Sequence, residues 1–212
     1  MRKERMKQAS PASFEIVQRG AEAILYLRGK ELVKERIKKG YRLPELDSKI
    51  RKQRTKGEAK LMERSRGSGV TVPSVRTEDE FKLVMEYVKG ERIKDVLNGM
   101  APKERTNVCG KMGEMIAKLH ANGIIHGDLT TSNMILKGKE VYLIDFGLGK
   151  FSEKVEDQAV DLFLLYEALK STHFRSLEEC WKGILKAYGQ NYPNTKEVLK
   201  RIEKIKKRRR YR

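Results

Sequence analysis

Only two of the 212 residues are cysteine, Cys109 and Cys180, far apart in the chain and in no CxxC pair. That excludes a disulfide framework and leaves small buried thiols in a reducing compartment. Histidine is as scarce. His120, His126 and His173 form no His/Cys cluster with the spacing of a zinc site. No apolar run approaches the length that spans a bilayer. The basic opening MRKERMKQAS is followed by no apolar segment of a signal peptide, so the expectation is a soluble, cytoplasmic protein. No internal repeat is present. Acids are in deficit, with 29 Asp and Glu against 47 Lys and Arg, a net charge of +18. A mixed Lys/Glu surface of the kind found in heat-adapted proteins explains dense charge but not a large excess of one sign. The excess points to an anionic partner: nucleic acid, nucleotide or an acidic protein face.

What remains is enough for a core, at 39% hydrophobic residues, in a chain that can form one domain or two small lobes around a cleft. FEIVQRG, AEAILYLRG and ELVKERIKKG carry β-branched or aromatic residues and end near glycine at hairpin spacing, which predicts three strands. Residues 46–65 turn helical, with Leu46, Ile50, Ala59 and Met62 as the apolar positions. Two further strands follow, around PSVRTED and EFKLVMEYV. A helix over 102–121 then opens on Pro102 and lines up Val108, Met112, Met115, Ile116 and Leu119. After the strand-like EVYLIDFGLGK come an apolar helix over 159–169, a Trp-bearing helix over 176–188 and a last helix running into a basic end. The expected architecture is α+β and two-lobed, with a natural cleft. Residues 1–87 form a strand-rich N-terminal lobe with one main helix, 88–205 a helical C-terminal lobe and 206–212 a basic tail.

The stretch GIIHGDLTTSNMIL at 123–136 sets a polar knot between apolar flanks, and LIDFGLG brings Asp145 out of an apolar strand, with Gly147 expected to let the backbone turn. Asp128 lies seventeen positions before Asp145. The order H-G-D-x-x-x-x-N then D-F-G resembles the catalytic set of protein kinases. That resemblance implies ATP and magnesium as cofactors, with Asp128 orienting the nucleophile and Asn133 and Asp145 on the metal. It also implies Lys34 on the third strand at the phosphates, Glu58 on the next helix holding that lysine (Glu63 is its rival), and Gly20 in the phosphate turn. Met85 then stands behind adenine, which meets the carbonyl of Glu86 and the amide of Val88. Asp161, in the apolar AVDLFLLYEAL, needs compensating donors, and the 126–128 loop amides are the expected source.

Four departures narrow the family. The phosphate turn QRGAEAIL has one glycine where kinases have three, and Gly127 replaces the usual arginine of the catalytic loop. Thr130 stands where many Ser/Thr kinases place a lysine on the transferred phosphate. Only nine residues separate Gly147 from Asp157, too few for a peptide-docking activation segment. With GAEA at 20–23, VKERIKKGYRLPELD at 33–47, RTKGEA at 54–59 and EDQAVDLFLLYEAL at 156–169, the chain closely resembles the small atypical kinase of the KEOPS (EKC) complex, a relative of the RIO kinases. The resemblance spans nearly the whole chain. It implies Ser/Thr self-phosphorylation or ATP hydrolysis, in support of tRNA threonylcarbamoyladenosine formation. The implied partners are the threonylcarbamoyltransferase subunit, the other KEOPS subunits and tRNA.

The end of the chain fits without deciding. Lys206, Lys207, Arg208, Arg209, Arg210 and Arg212 could contact tRNA phosphate, an acidic partner surface, or only solvent. Arg51, Lys52, Arg54 and Lys56 could extend the strip. Two other functions stay open at this point. One is a tRNA-binding assembly subunit that uses nucleotide only as a structural switch. The other is a small-molecule kinase of the aminoglycoside type, which the YRLPELD segment and the short helical lobe disfavour.

Overall fold

Alternation of inward and outward side chains builds the first layer in the computed structural model, which describes residues 14–210 (side chains through 208). Strands β1 (Glu15–Arg19), β2 (Ala23–Arg28), β3 (Glu31–Arg36), β4 (Val75–Thr77) and β5 (Lys82–Glu86) form one antiparallel sheet in the order β1-β2-β3-β5-β4. Helix α1 (Pro44–Gly67) connects β3 to β4. It starts two residues before the expected 46–65 because proline is tolerated at the first helical position, where an N–H would find no partner.

The inward face of α1 also departs from its apolar pattern. Leu46 is half exposed, while Asp47, Thr55 and Glu58 are buried beside Ala59, Leu61 and Met62. Asp47 can be buried because it is neutralised. It accepts the Lys39 amide at 3.2 Å and Arg51 Nε at 2.7 Å, with Arg42 at 3.6 Å. Burial pushes the Asp47 carboxyl up, but these donors outweigh it and hold it below the usual carboxylate range.

Residues 87–90 lead into the second half. The short β6 (Glu91–Arg92) and α2 (Ile93–Val96) precede α3 (Pro102–Ala121), whose bounds and buried face are those its sequence predicts. Strand β7 (Ile124–Ile125) pairs with β10 (Lys150–Phe151), and β8 (Met134–Lys137) and β9 (Glu140–Leu143) form a hairpin beside β6. Helices α4 (Val155–Thr172), α5 (Leu177–Asn191) and α6 (Thr195–Arg210) complete the layer, α4 extending the expected 159–169 at both ends and α5 shifted slightly past the expected 176–188. The core gathers here, around Met112, Ile116, Leu119, Leu162, Leu165, Ile184 and Tyr188. Cys109 and Cys180 are free and buried in it. Among the described residues no helix is long and apolar enough to cross a membrane.

Candidate active site

On β3, Lys34 and Arg36 lie two apart and so share one face, turned toward α1. Glu58 meets both: Lys34 Nζ donates to its Oε1 at 2.7 Å and Arg36 Nη2 to its Oε2 at 2.5 Å. Glu63, the rival partner, is exposed. Lys34 also donates to Asp145 Oδ1 at 2.8 Å, tying sheet, helix and the D-F-G segment together. Burial alone would lower the Lys34 ammonium, but Glu58 and Asp145 outweigh it and hold it above the usual lysine range. Asp145 is the mirror case. Burial raises its carboxyl, and Lys34 more than reverses that, so it stays below the usual range. Arg36 was not foreseen as a site residue, although its position two after Lys34 on a strand is the signal that finds it.

Asp145 itself adopts the left-handed conformation, φ +62°, and is the one non-glycine residue to do so among those described. The turn therefore falls on the aspartate and not on Gly147, correcting the sequence expectation. Gly147 serves close approach instead: a Cβ there would lie 3.0 Å from Asp145 Oδ1 and 3.5 Å from Lys34 Nζ.

Asn133 and Asp128 sit in one loop with linked side chains. Asn133 Nδ2 donates to the Asp128 carbonyl and carboxylate, both at 2.9 Å, which leaves the amide oxygen of Asn133 for another partner. Beneath this loop, Asp161 accepts the amides of His126 and Gly127, each at 2.8 Å, with His120 Nε2 at 3.4 Å. The expected donors are the observed ones. Asp161 acts by holding the loop and does not line the cleft. Its burial raises the carboxyl, and the His120 contact and loop amides outweigh that, leaving it depressed. His126 Nε2 donates to the Ile144 carbonyl at 3.0 Å while its Nδ1 accepts the Asp128 amide at 3.3 Å, so the ring braces the loop. Gly127 has φ +81°, and a Cβ there would fall 2.3 Å from the Leu148 carbonyl oxygen. No side chain fits where protein kinases carry arginine.

Two adjoining cavities run between sheet and helices and share Gln18, Leu25, Lys34 and Asp145. The first, about 290 Å³, is lined by Met85, Glu86, Val88, Glu58, Asn133 and Asp145, with Leu32, Ile135 and Ile144 as apolar walls. The Val88 amide takes no acceptor among the described residues. Arg92 and Gln18 meet across its mouth at 3.4 Å. The second, about 300 Å³, holds the Gly20–Ala23 turn, Asp128, Arg36 and Arg54. Every expected site residue except Asp161 and the basic tail thus lines this cleft.

Asp145 and Asn133 offer a carboxylate and an amide oxygen, the hard donors magnesium prefers. No group of three or more His, Cys, Asp or Glu side chains able to hold a metal occurs among the described residues, so such an ion would complete its shell with phosphate and water.

The basic strip lies elsewhere, on α6. Lys206 is docked, its Nζ 4.2 Å from the Tyr166 ring centre and 3.1 Å from Glu203. Lys207 and Arg208 are exposed. The side chains of Arg209 and Arg210, and all of Arg212, lie outside the described residues.

The protein kinase domain family matches residues 29–178. Among curated proteins, the KEOPS complex subunit Bud32 of Pyrococcus abyssi is 45% identical over 215 residues, covering 94% of this chain and 97% of that protein. A probable bifunctional tRNA threonylcarbamoyladenosine biosynthesis protein of Methanosarcina mazei is 41% identical over 225 residues, covering all of this chain but 40% of that longer protein. Among solved structures, the Rio2 kinase complex with ADP, magnesium and phosphoaspartate from Chaetomium thermophilum superposes with a TM-score of 0.62. It is 15% identical and covers 93% of this chain and 72% of that one, a likeness of fold.

Proposed function

The chain belongs to the protein kinase family and, within it, to the Bud32 group of KEOPS subunits, and from that premise we propose that it binds magnesium–ATP and catalyses phosphoryl transfer inside the complex that modifies tRNA. The observation that carries this reading is the contact of Lys34 with both Glu58 and Asp145 in a cleft that also holds a free hinge amide at Val88. Leu25, Leu32, Ile135 and Ile144 enclose the adenine, and the Glu86 carbonyl and Val88 amide set its orientation. Lys34 neutralises the inner phosphates while Glu58, clamped from its other side by Arg36, keeps the lysine in place. Asp145 and Asn133 would hold magnesium, whose charge neutralises the phosphates when bound.

Asp128 accepts the proton of the attacking oxygen as that oxygen bonds to the outer phosphorus. The bond to the bridging oxygen breaks with its electron pair, giving ADP. Positioning and charge neutralisation supply most of the acceleration. The attacking oxygen is a Ser/Thr hydroxyl of the protein itself or water. The short path after Gly147 favours these over a docked peptide. It pairs at once with β7, and both Lys150 (2.8 Å) and Ser152 (2.6 Å) bond to Asp157 at the start of α4. We further assign the two lobes to 1–87, of which 1–13 lie outside the described residues, and to 88–205, with α6 continuing past that bound, and the basic end to tRNA or to the threonylcarbamoyltransferase subunit. Phosphate release and self-phosphorylation, measured with and without that subunit and tRNA, test the reading. Absence of magnesium-dependent turnover under every condition would leave a nucleotide-gated assembly subunit in its place.

A further inference from the structure

The outer phosphoryl group gathers negative charge as it transfers, and kinases that carry a lysine two residues after the catalytic aspartate neutralise it there. This chain has Thr130 at that position. That position therefore brings no cation to the group beyond the magnesium, and the cavity beside Asp128 shows which side chains can. Lys34, Arg36 and Arg54 are the cations lining it. Lys34 is committed to Glu58 and Asp145. Arg36, only 4% exposed in its side chain, is committed to Glu58.

Arg54 differs from both. It lies one helical turn before Glu58 on α1, so the two point to the same side. Its side chain is 39% exposed and bonds Glu22 at 3.0 Å, in the Gly20–Ala23 turn that lines the same cavity. Glu22 does not depend on it. Arg42 stands 3.5 Å from the other carboxylate oxygen, the Glu22 carbonyl accepts the Ile37 amide at 3.2 Å, and Lys39 Nζ bonds the neighbouring Ala21 carbonyl. The turn thus stays anchored if Arg54 lets go.

We propose that Arg54 is a catalytic residue. It exchanges Glu22 for the peripheral oxygens of the outer phosphate and neutralises the charge that develops there. The inference rests on the phosphoryl-transfer reading above. The bond changes are those already described. Arg54 stays protonated throughout and donates hydrogen bonds without transferring a proton. Helix α1 thereby delivers, from the sheet side of the cleft, the charge that other kinases deliver from the catalytic loop.

The test compares Arg54→Gln, Arg54→Lys and Glu22→Gln in the full chain, reading melting temperature, phosphate release, and equilibrium affinities for magnesium–ADP and the non-hydrolysable magnesium–AMP-PNP. ADP lacks the outer phosphate, so it reports everything but the proposed contact. Arg54→Gln is expected to lower turnover about 100-fold and AMP-PNP affinity about tenfold, with ADP affinity and melting temperature nearly unchanged. Arg54→Lys should recover part of both losses. Glu22→Gln should move AMP-PNP affinity the other way, up to about fivefold tighter, because a half-exposed ion pair competing for Arg54 is gone. An unchanged AMP-PNP to ADP ratio in Arg54→Gln overturns the proposal. So do equal losses in Arg54→Gln and Glu22→Gln, since the arginine would then only anchor the turn. If the wild type shows no turnover, the phosphoryl-transfer reading fails, and the affinity ratio still decides whether Arg54 meets the outer phosphate.

Discussion

Glu58 joins two cations, and its two neighbours are therefore not equivalent. Lys34→Ala leaves Glu58 paired with Arg36, whereas Glu58→Ala leaves both buried cations on β3 without their shared partner. Breaking a buried ion pair from one side costs about 3–5 kcal/mol. Glu58→Ala should melt well below Lys34→Ala, although both lower phosphate release to a measurable residual rate. In turnover the two losses should be non-additive, because lysine and glutamate act as one unit. A double mutant losing the product of the two single effects would show that they act separately. Asp145→Ala should remove magnesium-dependent phosphate release altogether. Asn133→Ala should weaken it less, since an amide is the poorer ligand for the ion. A magnesium titration of both variants separates them. Wild-type turnover in Asp145→Ala would sink the metal assignment.

Helix α4 carries one carboxylate, Asp161, under the catalytic loop. It receives two loop amides on its two oxygens, and asparagine can replace only one of those acceptors. Asp161→Asn should cost about 1–3 kcal/mol for the amide left without a partner and slow turnover while sparing nucleotide affinity. The folded carboxyl lies below its unfolded value, so its contribution is present above the ordinary carboxylate range. It is lost as pH falls through the depressed value. The acid limb of the melting temperature against pH should be flatter in Asp161→Asn; an unchanged limb would mean that other carboxylates carry it. Helix α6 shows a similar division of labour. Lys206 rests on Tyr166 of α4, so the strip free for a partner begins at Lys207. Deleting 207–212 should leave the melting temperature unchanged. Removing Lys206 as well should lower stability by about 0.5–2 kcal/mol through the lost cation–ring contact.

A net charge of +18 acts over the whole molecule, and its direction favours tRNA as well as nucleotide. If the basic end meets phosphate, deleting 207–212 should reduce the salt slope of log affinity for tRNA by up to roughly 0.9 for each lost duplex contact. If it meets a protein surface, affinity for the partner subunit should fall while tRNA binding by the isolated chain stays the same. Unchanged affinity for both would leave the strip a solvated face. At the cleft the charges close on themselves, with Lys34 and Arg36 against Glu58 and Asp145. Lys34 is raised, so its contribution persists through neutral pH and is lost only as pH rises past that raised value. Asp145 is depressed, so its contribution is lost only at low pH. Between those limits the stabilisation from the Lys34–Asp145 contact should be flat in pH, which the difference in melting temperature between the wild type and Lys34→Ala across that range checks.

The amino-acid order by itself determined the five strands of the first sheet, the helix over 102–121 and the placing of Asp128 and Asn133 in one loop, because each of these rests on local pattern and spacing; the short β6, β7 and β10 it did not show. The resemblance to protein kinases pointed Lys34 at Glu58 with Glu63 as rival, and the packing of α1 on β3 decided for Glu58, because Glu63 faces solvent. Other features depended on residues far away in the chain. Lys34 reaches Asp145 across 111 positions, and Asp161 reaches the His126 amide across 35. Leu46 looked inward by period while Asp47 was the residue buried, because Arg51, Arg42 and the Lys39 amide compensate a carboxylate that hydropathy alone expels. The turn fell on Asp145 and not on Gly147, because Lys34 and the Gly147 amide hold the aspartate at a positive φ. Periodicity reads the free energy of a side chain against water. It does not read charges that meet only after the sheet and helices have packed.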